Sequence, residues 1–286
     1  MPYAVTWLDV FTSVPLTGNG LAVVHDADGI DDATMLAFAR ETHLSETTFV
    51  QAATDERADY RNRIWTMAGE VAFAGHPSLG TAVAVARRRG EASARYVQQT
   101  KAGCQPVELE LDGCAARASM AQEPASFGPE PDPDAVMRAA GLSAGDAHPS
   151  LPPQVVSTGW THLIAPLREE ALGRAAPPDH DNLRALLEPL GAGVLYLAAV
   201  DLSAGSARTR GFLLDHAAIT EDPATGSAAG PLLAYLRQRA GTSELTIEQG
   251  AQIGRPSRIE CSWEQDRPRV AGDVVVVAEG RLLLSG

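Results

Sequence analysis

Two segments of this chain are apolar on nearly every face. One is Ser78-Leu79-Gly80-Thr81-Ala82-Val83-Ala84-Val85-Ala86, the other Ala228-Ala229-Gly230-Pro231-Leu232-Leu233-Ala234-Tyr235-Leu236. Each runs into arginines, Arg87-Arg88-Arg89 or Arg237 and Arg239, and stops at a glycine, Gly90 or Gly241. Cationic last turns closed by glycine fit helix C-termini. A helix without a polar face must be wrapped by other elements. The runs around them are short and β-rich, at 3–11, 21–25, 60–67, 94–99, 107–111 and 115–120 in the first half. In the second half they fall at 154–157, 162–165, 193–200, 208–214, 255–263 and 269–278. Strict βαβ alternation is absent, which argues against a doubly wound sheet. The pattern predicts an α+β fold of two similar halves, each a mostly antiparallel, barrel-like sheet around a central α-helix. Helices are expected also after Asp31 or Asp32, ending near His43, at 133–140 and at 182–190. The proline-rich run 124–133 reads as a linker, giving halves 1–123 and 124–286, with the last strand able to return to the first half.

The segments before the two helices match as well. Glu70 to His76 lies on Glu221 to Ser227, with Gly75 on Gly226, and each closing glycine falls at the same distance from its partner. A glycine turn opening a helix leaves backbone N–H groups pointing outward, where the dipole favours an anion. Pro77 suits a first helical position, which needs no N–H. Either stretch alone could be an ordinary capped helix. The pair, with His76 and Asp222 beside the glycines, points to a duplicated architecture holding one small ligand between the copies.

Composition narrows the partners. The chain has 286 residues and a net charge of −13, which argues against nucleic acid or an anionic membrane as partner. No run is long and apolar enough to span a bilayer. Three cysteines, Cys104, Cys114 and Cys261, without a CxxC, argue for a reduced, cytoplasmic protein, and their strand-like settings for buried packing roles. No histidine shows metal-ligand spacing, and most of His25, His43, His148, His162, His180 and His216 read as surface or packing residues. His162 is the exception worth following. The glycine patterns match no nucleotide-binding fingerprint.

Asp9-Val10-Phe11, Gly18-Asn19, Leu44-Ser45-Glu46-Thr47-Thr48-Phe49-Val50, Phe73-Ala74-Gly75-His76-Pro77 and Glu221-Asp222-Pro223-Ala224-Thr225-Gly226-Ser227-Ala228 together resemble the PhzF family of phenazine-biosynthesis-like isomerases. The resemblance runs on to Gln249-Gly250 and Ile253-Gly254-Arg255-Pro256-Ser257. It implies the diaminopimelate epimerase fold and an enzyme without cofactor or metal, usually a homodimer. The phenazine-type member moves a proton along the ring of trans-2,3-dihydro-3-hydroxyanthranilate. The family's acid/base glutamate falls on Glu46, and its substrate contacts on Ser45, Gly75, His76, Asp222, Gly226 and Ser227. Departures occur at Gly20, where the family usually has proline, and near Met67 and Leu214, positions expected to shape the walls of the site.

Proton transfer between carbons needs one group that takes a proton and returns it, its pKa lifted by a water-poor site. Glu46 fits that role. His76 can donate to a carboxylate or hydroxyl or relay a proton, and Asp222 can hold an amine and help reprotonate. Ser227 with the backbone at Gly75 and Gly226 can bind a carboxylate. Each has a plainer reading: a strand-end glutamate, a capping histidine, a turn aspartate before Pro223, an N-cap serine. Three functions follow: a PhzF-like isomerase of a small carboxylic acid, an epimerase or racemase of an amino or hydroxy acid, or a non-catalytic small-molecule binding protein. His76 and Ser227 stand where two-base racemases of the wider fold place cysteines, which disfavours cysteine racemisation.

Overall fold

The computed structural model of the chain describes residues 2–214 and 219–284; His216 lies outside the described residues. The residues cluster into two compact units, Met1–Met120 with Ala271–Gly286, and Ala121–Val270.

The first unit contains β1 (Pro2–Val10), β2 (Asn19–Val24), α1 (Asp32–Thr42), β3 (Glu46–Gln51), β4 (Tyr60–Trp65), β5 (Glu70–Val71), α2 (Gly75–Arg89), β6 (Ser93–Thr100), β7 (Gly103–Asp112) and β8 (Ala115–Ala121). Most of the terminal strand β17 (Arg267–Leu283) belongs to it too. β1 pairs antiparallel with β2, β2 parallel with β3, β3 antiparallel with β4, and β4 antiparallel with β5 and parallel with β6. Antiparallel β6–β7 and β7–β8 pairs follow, and β17 joins β8 to β1, closing the barrel. Helix α2 packs against β1, β2, β3, β6 and β7, and every residue from Gly75 to Ala86 is buried. That burial is why the helix carries no polar face. A Cβ at Gly80 would stand 2.6 Å from Leu21 Cδ2 and 2.9 Å from Val10 Cγ2, so glycine sets how closely α2 approaches β1 and β2. Asp31 caps α1 by accepting from the Thr34 N–H at 2.8 Å, and His43 ends it in the left-handed conformation.

The second unit contains β9 (Ser126–Phe127), α3 (Pro133–Ala139), β10 (Gln154–Ser157), β11 (Thr161–Leu167), α4 (Glu169–Leu172), α5 (His180–Leu187), β12 (Val194–Asp201), β13 (Ser206–Leu214), β14 (Ile219–Asp222), α6 (Gly226–Ala240), β15 (Glu244–Gln249) and β16 (Ser257–Glu264). The order and sense of pairing from β1 to β7 recur here. β10–β11 is antiparallel, β11–β12 parallel, β12–β13 and β13–β14 antiparallel, β13–β15 parallel and β15–β16 antiparallel. Helix α6 sits where α2 does in this order, packing on β10, β11, β15 and β16. A core built on Val136, Met137, Leu163, Leu183, Leu187 and Leu195 joins α3 and α5 to β11 and β12. Each such side chain contributes about 1.5–3 kcal/mol by leaving water.

Several expectations are corrected. Cys114 is exposed, because it follows Gly113 in the tight β7–β8 turn; only Cys261 is buried, and burial pushes its thiol up. The run expected as a linker carries β9, whose Ser126 and Phe127 pair with Ser157 and Val156. Helix α2 begins at Gly75 rather than at Pro77, so the proline stands third in the helix instead of first, still in the turn whose N–H groups have no helical acceptor.

Candidate active site

Within the first unit, Glu46 opens β3 and His76 is the second residue of α2. Both are buried, and His76 Nε2 stands 3.6 Å from Glu46 Oε2. Burial lowers the His76 pKa to about 3, against a raising hydrogen bond to the Gly20 backbone. The ring is therefore neutral near pH 7. A carbonyl can only accept, so the ring nitrogen bonded to Gly20 carries the proton. Nε2 makes no hydrogen bond and keeps its lone pair towards the carboxyl group. The separation exceeds hydrogen-bond length, but a small shift would let one proton bridge Glu46 and His76. Ser45 precedes Glu46 and is half-buried. Gly75 is the first residue of α2, and the Ala74 N-cap supplies no side-chain cap.

Just before this helix, Arg63 donates from Nε and Nη2 to the Glu70 carboxylate at 2.9 and 2.7 Å, and from Nη1 to Asp32 at 2.8 Å. Burial alone would raise Glu70, but hydrogen bonds from Arg63 and Lys101 outweigh it and hold the carboxyl below its usual range. The Arg63 guanidinium also lies over Trp65, 5.3 Å from the ring centre.

Within the second unit, Asp222 ends β14, buried, and its Oδ2 accepts from Thr225 Oγ1 at 2.8 Å. Gln249 Nε2 donates to the Asp222 carbonyl at 2.7 Å and to Thr225 Oγ1 at 2.9 Å, while its Oε1 accepts from the Thr225 N–H and the Tyr196 hydroxyl. Gly226 opens α6, and its carbonyl accepts from Gln122 Nε2 at 2.9 Å. Ser227 is second in α6, the place His76 holds in α2, and its Oγ lies 3.1 Å from His162 Nε2. Neither helix start is capped by its own N-cap side chain, Thr225 being spent on Asp222. Arg210 clamps Glu221 at 2.8 and 2.7 Å and lies 5.1 Å from the Phe212 ring centre, repeating Arg63, Glu70 and Trp65.

The structure thus brings Glu46 and His76 together, and joins Asp222 to Thr225 and Ser227 to His162. Sequence reasoning missed Gln249, Thr225, Gln122 and the two arginine clamps. The clamps left a signal, an arginine two residues before an aromatic ahead of each glycine stretch. Gln249 left one in the Gln249-Gly250 pair that carries part of the resemblance, whereas Gln122 left none, because only folding carries it to the start of α6. Among the described residues, no three His, Cys, Asp or Glu side chains gather as a metal site.

A family model described as phenazine biosynthesis-like protein matches residues 8–280. The chain belongs to the phenazine biosynthesis-like family. One relative, the trans-2,3-dihydro-3-hydroxyanthranilate isomerase of Pseudomonas aeruginosa, is 36% identical over 97% of this chain and 98% of its own. Membership makes this chain an enzyme of the isomerase class. A solved structure from Pseudomonas aeruginosa described as a predicted epimerase superposes with a TM-score of 0.87 at 38% identity, covering 99% of this chain and 100% of the other. A hydroxyproline epimerase from Agrobacterium vitis shares the fold at a TM-score of 0.69 and 11% identity, covering 98% of this chain and 91% of its own. The phenazine biosynthesis-like chain therefore has the proline racemase and diaminopimelate epimerase type of fold.

Proposed function

We propose that this enzyme is a cofactor-independent isomerase that moves a proton on a small carboxylic acid, with Glu46 as the group that takes the proton and returns it. The observation that carries this reading is the buried Glu46–His76 pair. A neutral imidazole whose lone pair faces the carboxyl gives Glu46 a neighbour with which to share a proton out of water. His76 relays or donates, Asp222 holds a polar group and assists reprotonation, and Ser45, Gly75, Gly226 and Ser227 contact the substrate. The uncapped N–H groups at the starts of α2 and α6 suit a carboxylate. The substrate is trans-2,3-dihydro-3-hydroxyanthranilate or a related acid of a secondary-metabolite step, a reading supported by the relative that carries that name. The protein acts as a homodimer in the cytoplasm, and its two units descend from one duplicated unit, as the repeated strand pairings and arginine clamps support.

Proton NMR of the purified enzyme with trans-2,3-dihydro-3-hydroxyanthranilate in D2O tests it, beside Glu46→Gln. Substrate consumption with deuterium entering the ring, lost in the variant, is expected. An equally active Glu46→Gln enzyme would remove Glu46 from the mechanism. Inversion at one carbon without movement of a double bond would make the enzyme an epimerase instead.

A further inference from the structure

His162 is fully buried, yet acid/base chemistry at Glu46 gives it no task. Its Nδ1 lies 2.9 Å from the Trp160 carbonyl oxygen and its Nε2 3.1 Å from Ser227 Oγ. A carbonyl only accepts, so Nδ1 must carry the proton. Burial pulls the ring to about pKa 3, against the raising bond to Trp160, so the imidazole is neutral. Nε2 is then a bare acceptor, and the Ser227 hydroxyl must spend its hydrogen there. What remains on Ser227 Oγ is lone pairs.

The seat of His162 is built rather than incidental. Trp160 stacks edge-on against the ring, centroids 4.9 Å apart. A Cβ at Gly193 would stand 2.5 Å from the Trp160 ring, so glycine there leaves the indole its place. We propose that His162 is a positioning residue that turns Ser227 into a hydrogen-bond acceptor, so that the substrate group met by its side chain is a donor, an amine or a hydroxyl. The proposal rests on Ser227 being a substrate contact and changes what it contacts. The carboxylate falls to backbone N–H groups, not to the Ser227 hydroxyl, because a carboxylate facing two lone pairs gains nothing.

Two measurements test it. In ligand-free protein with 15N-labelled histidine, NMR should find His162 protonated at Nδ1 and bare at Nε2 throughout the neutral range. An Nε2–H tautomer or an imidazolium there overturns the proposal whatever the enzyme's reaction. Affinities of wild type and Ser227→Ala are then compared for 3-hydroxyanthranilate, which carries donors, and benzoate, which carries only the carboxylate. Ser227→Ala should weaken the first by about tenfold, one hydrogen bond's worth, and leave the second unchanged. Equal weakening of both would make Ser227 a carboxylate contact. No change in either would remove Ser227 from the site, a failure distinct from loss of the Glu46 chemistry, which the deuterium experiment reads separately.

Discussion

Arg63 grips Glu70 through two parallel hydrogen bonds, with both side chains almost wholly out of water. The pair ties β4 to β5 just ahead of Gly75 and His76, and Arg210 with Glu221 does the same for β13 and β14 ahead of Gly226 and Ser227. Removing the arginine leaves the buried Glu70 carboxylate only the half-exposed Lys101, 2.7 Å away, to compensate it. Arg63→Met should therefore destabilise by about 1–3 kcal/mol, read from urea unfolding. Arg63→Met with Glu70→Met should recover a large part of that loss. Additive losses would mean that the arginine works through packing on Trp65 instead.

His76→Phe keeps an aromatic ring of similar bulk and removes the lone pair beside Glu46. Turnover should fall about 10²-fold or more, within the range of acid/base contributions. Circular dichroism should be unchanged, while the urea midpoint falls by the worth of the lost bond to the Gly20 backbone. Steady-state kinetics decide it; a drop in apparent affinity with kcat intact would assign His76 to binding alone.

Gln249 holds the Asp222 backbone and the Thr225 hydroxyl, and Thr225 in turn donates to Asp222 Oδ2. Thr225→Val removes that donor at nearly constant volume. It should lower kcat by about tenfold, the worth of one hydrogen bond. Steady-state kinetics read it; an unchanged kcat would make Asp222 a structural residue.

Three buried histidines set an acid limit to stability. Burial lowers His25 to about 4, with Arg88 adding to it, and burial lowers His76 and His162 to about 3. In the unfolded chain each titrates near 6.5. Above that pH neither state binds the proton. As pH falls below it, the unfolded chain takes up protons that the folded chain refuses, so stability drops down to about pH 3–4. Each histidine contributes up to about 1.4 kcal/mol per pH unit. His25→Gln, which can still bond Thr6, should flatten the fall in urea midpoint between pH 6.5 and 4. An unchanged slope would show that His25 protonates in place.

The sequence by itself determined the elements and the repeat. Most strands, α1 with its Asp31 cap and the two enclosed helices follow from periodicity, capping residues and glycines, which act over a few neighbouring positions. The matched stretches singled out His76, Asp222 and Ser227, and the family resemblance singled out Glu46, because these motifs are contiguous in the chain. Tertiary structure decided the rest. Pro231 should disturb a helix, since it lacks the N–H that would bond the Ser227 carbonyl; α6 continues because residues on both sides of it are buried. The two-residue turn Gln265-Asp266 takes positive φ at both positions without glycine or asparagine. The partners of these residues come from far along the chain: Gln249 reaches Thr225 from β15, His162 reaches Ser227 from β11, and Gly20 reaches His76 from β2. Such contacts have no local signature. A buried glutamine or histidine reads in sequence like any polar residue of a strand, and only the packed interior, where every polar group must find a partner, gives it a task.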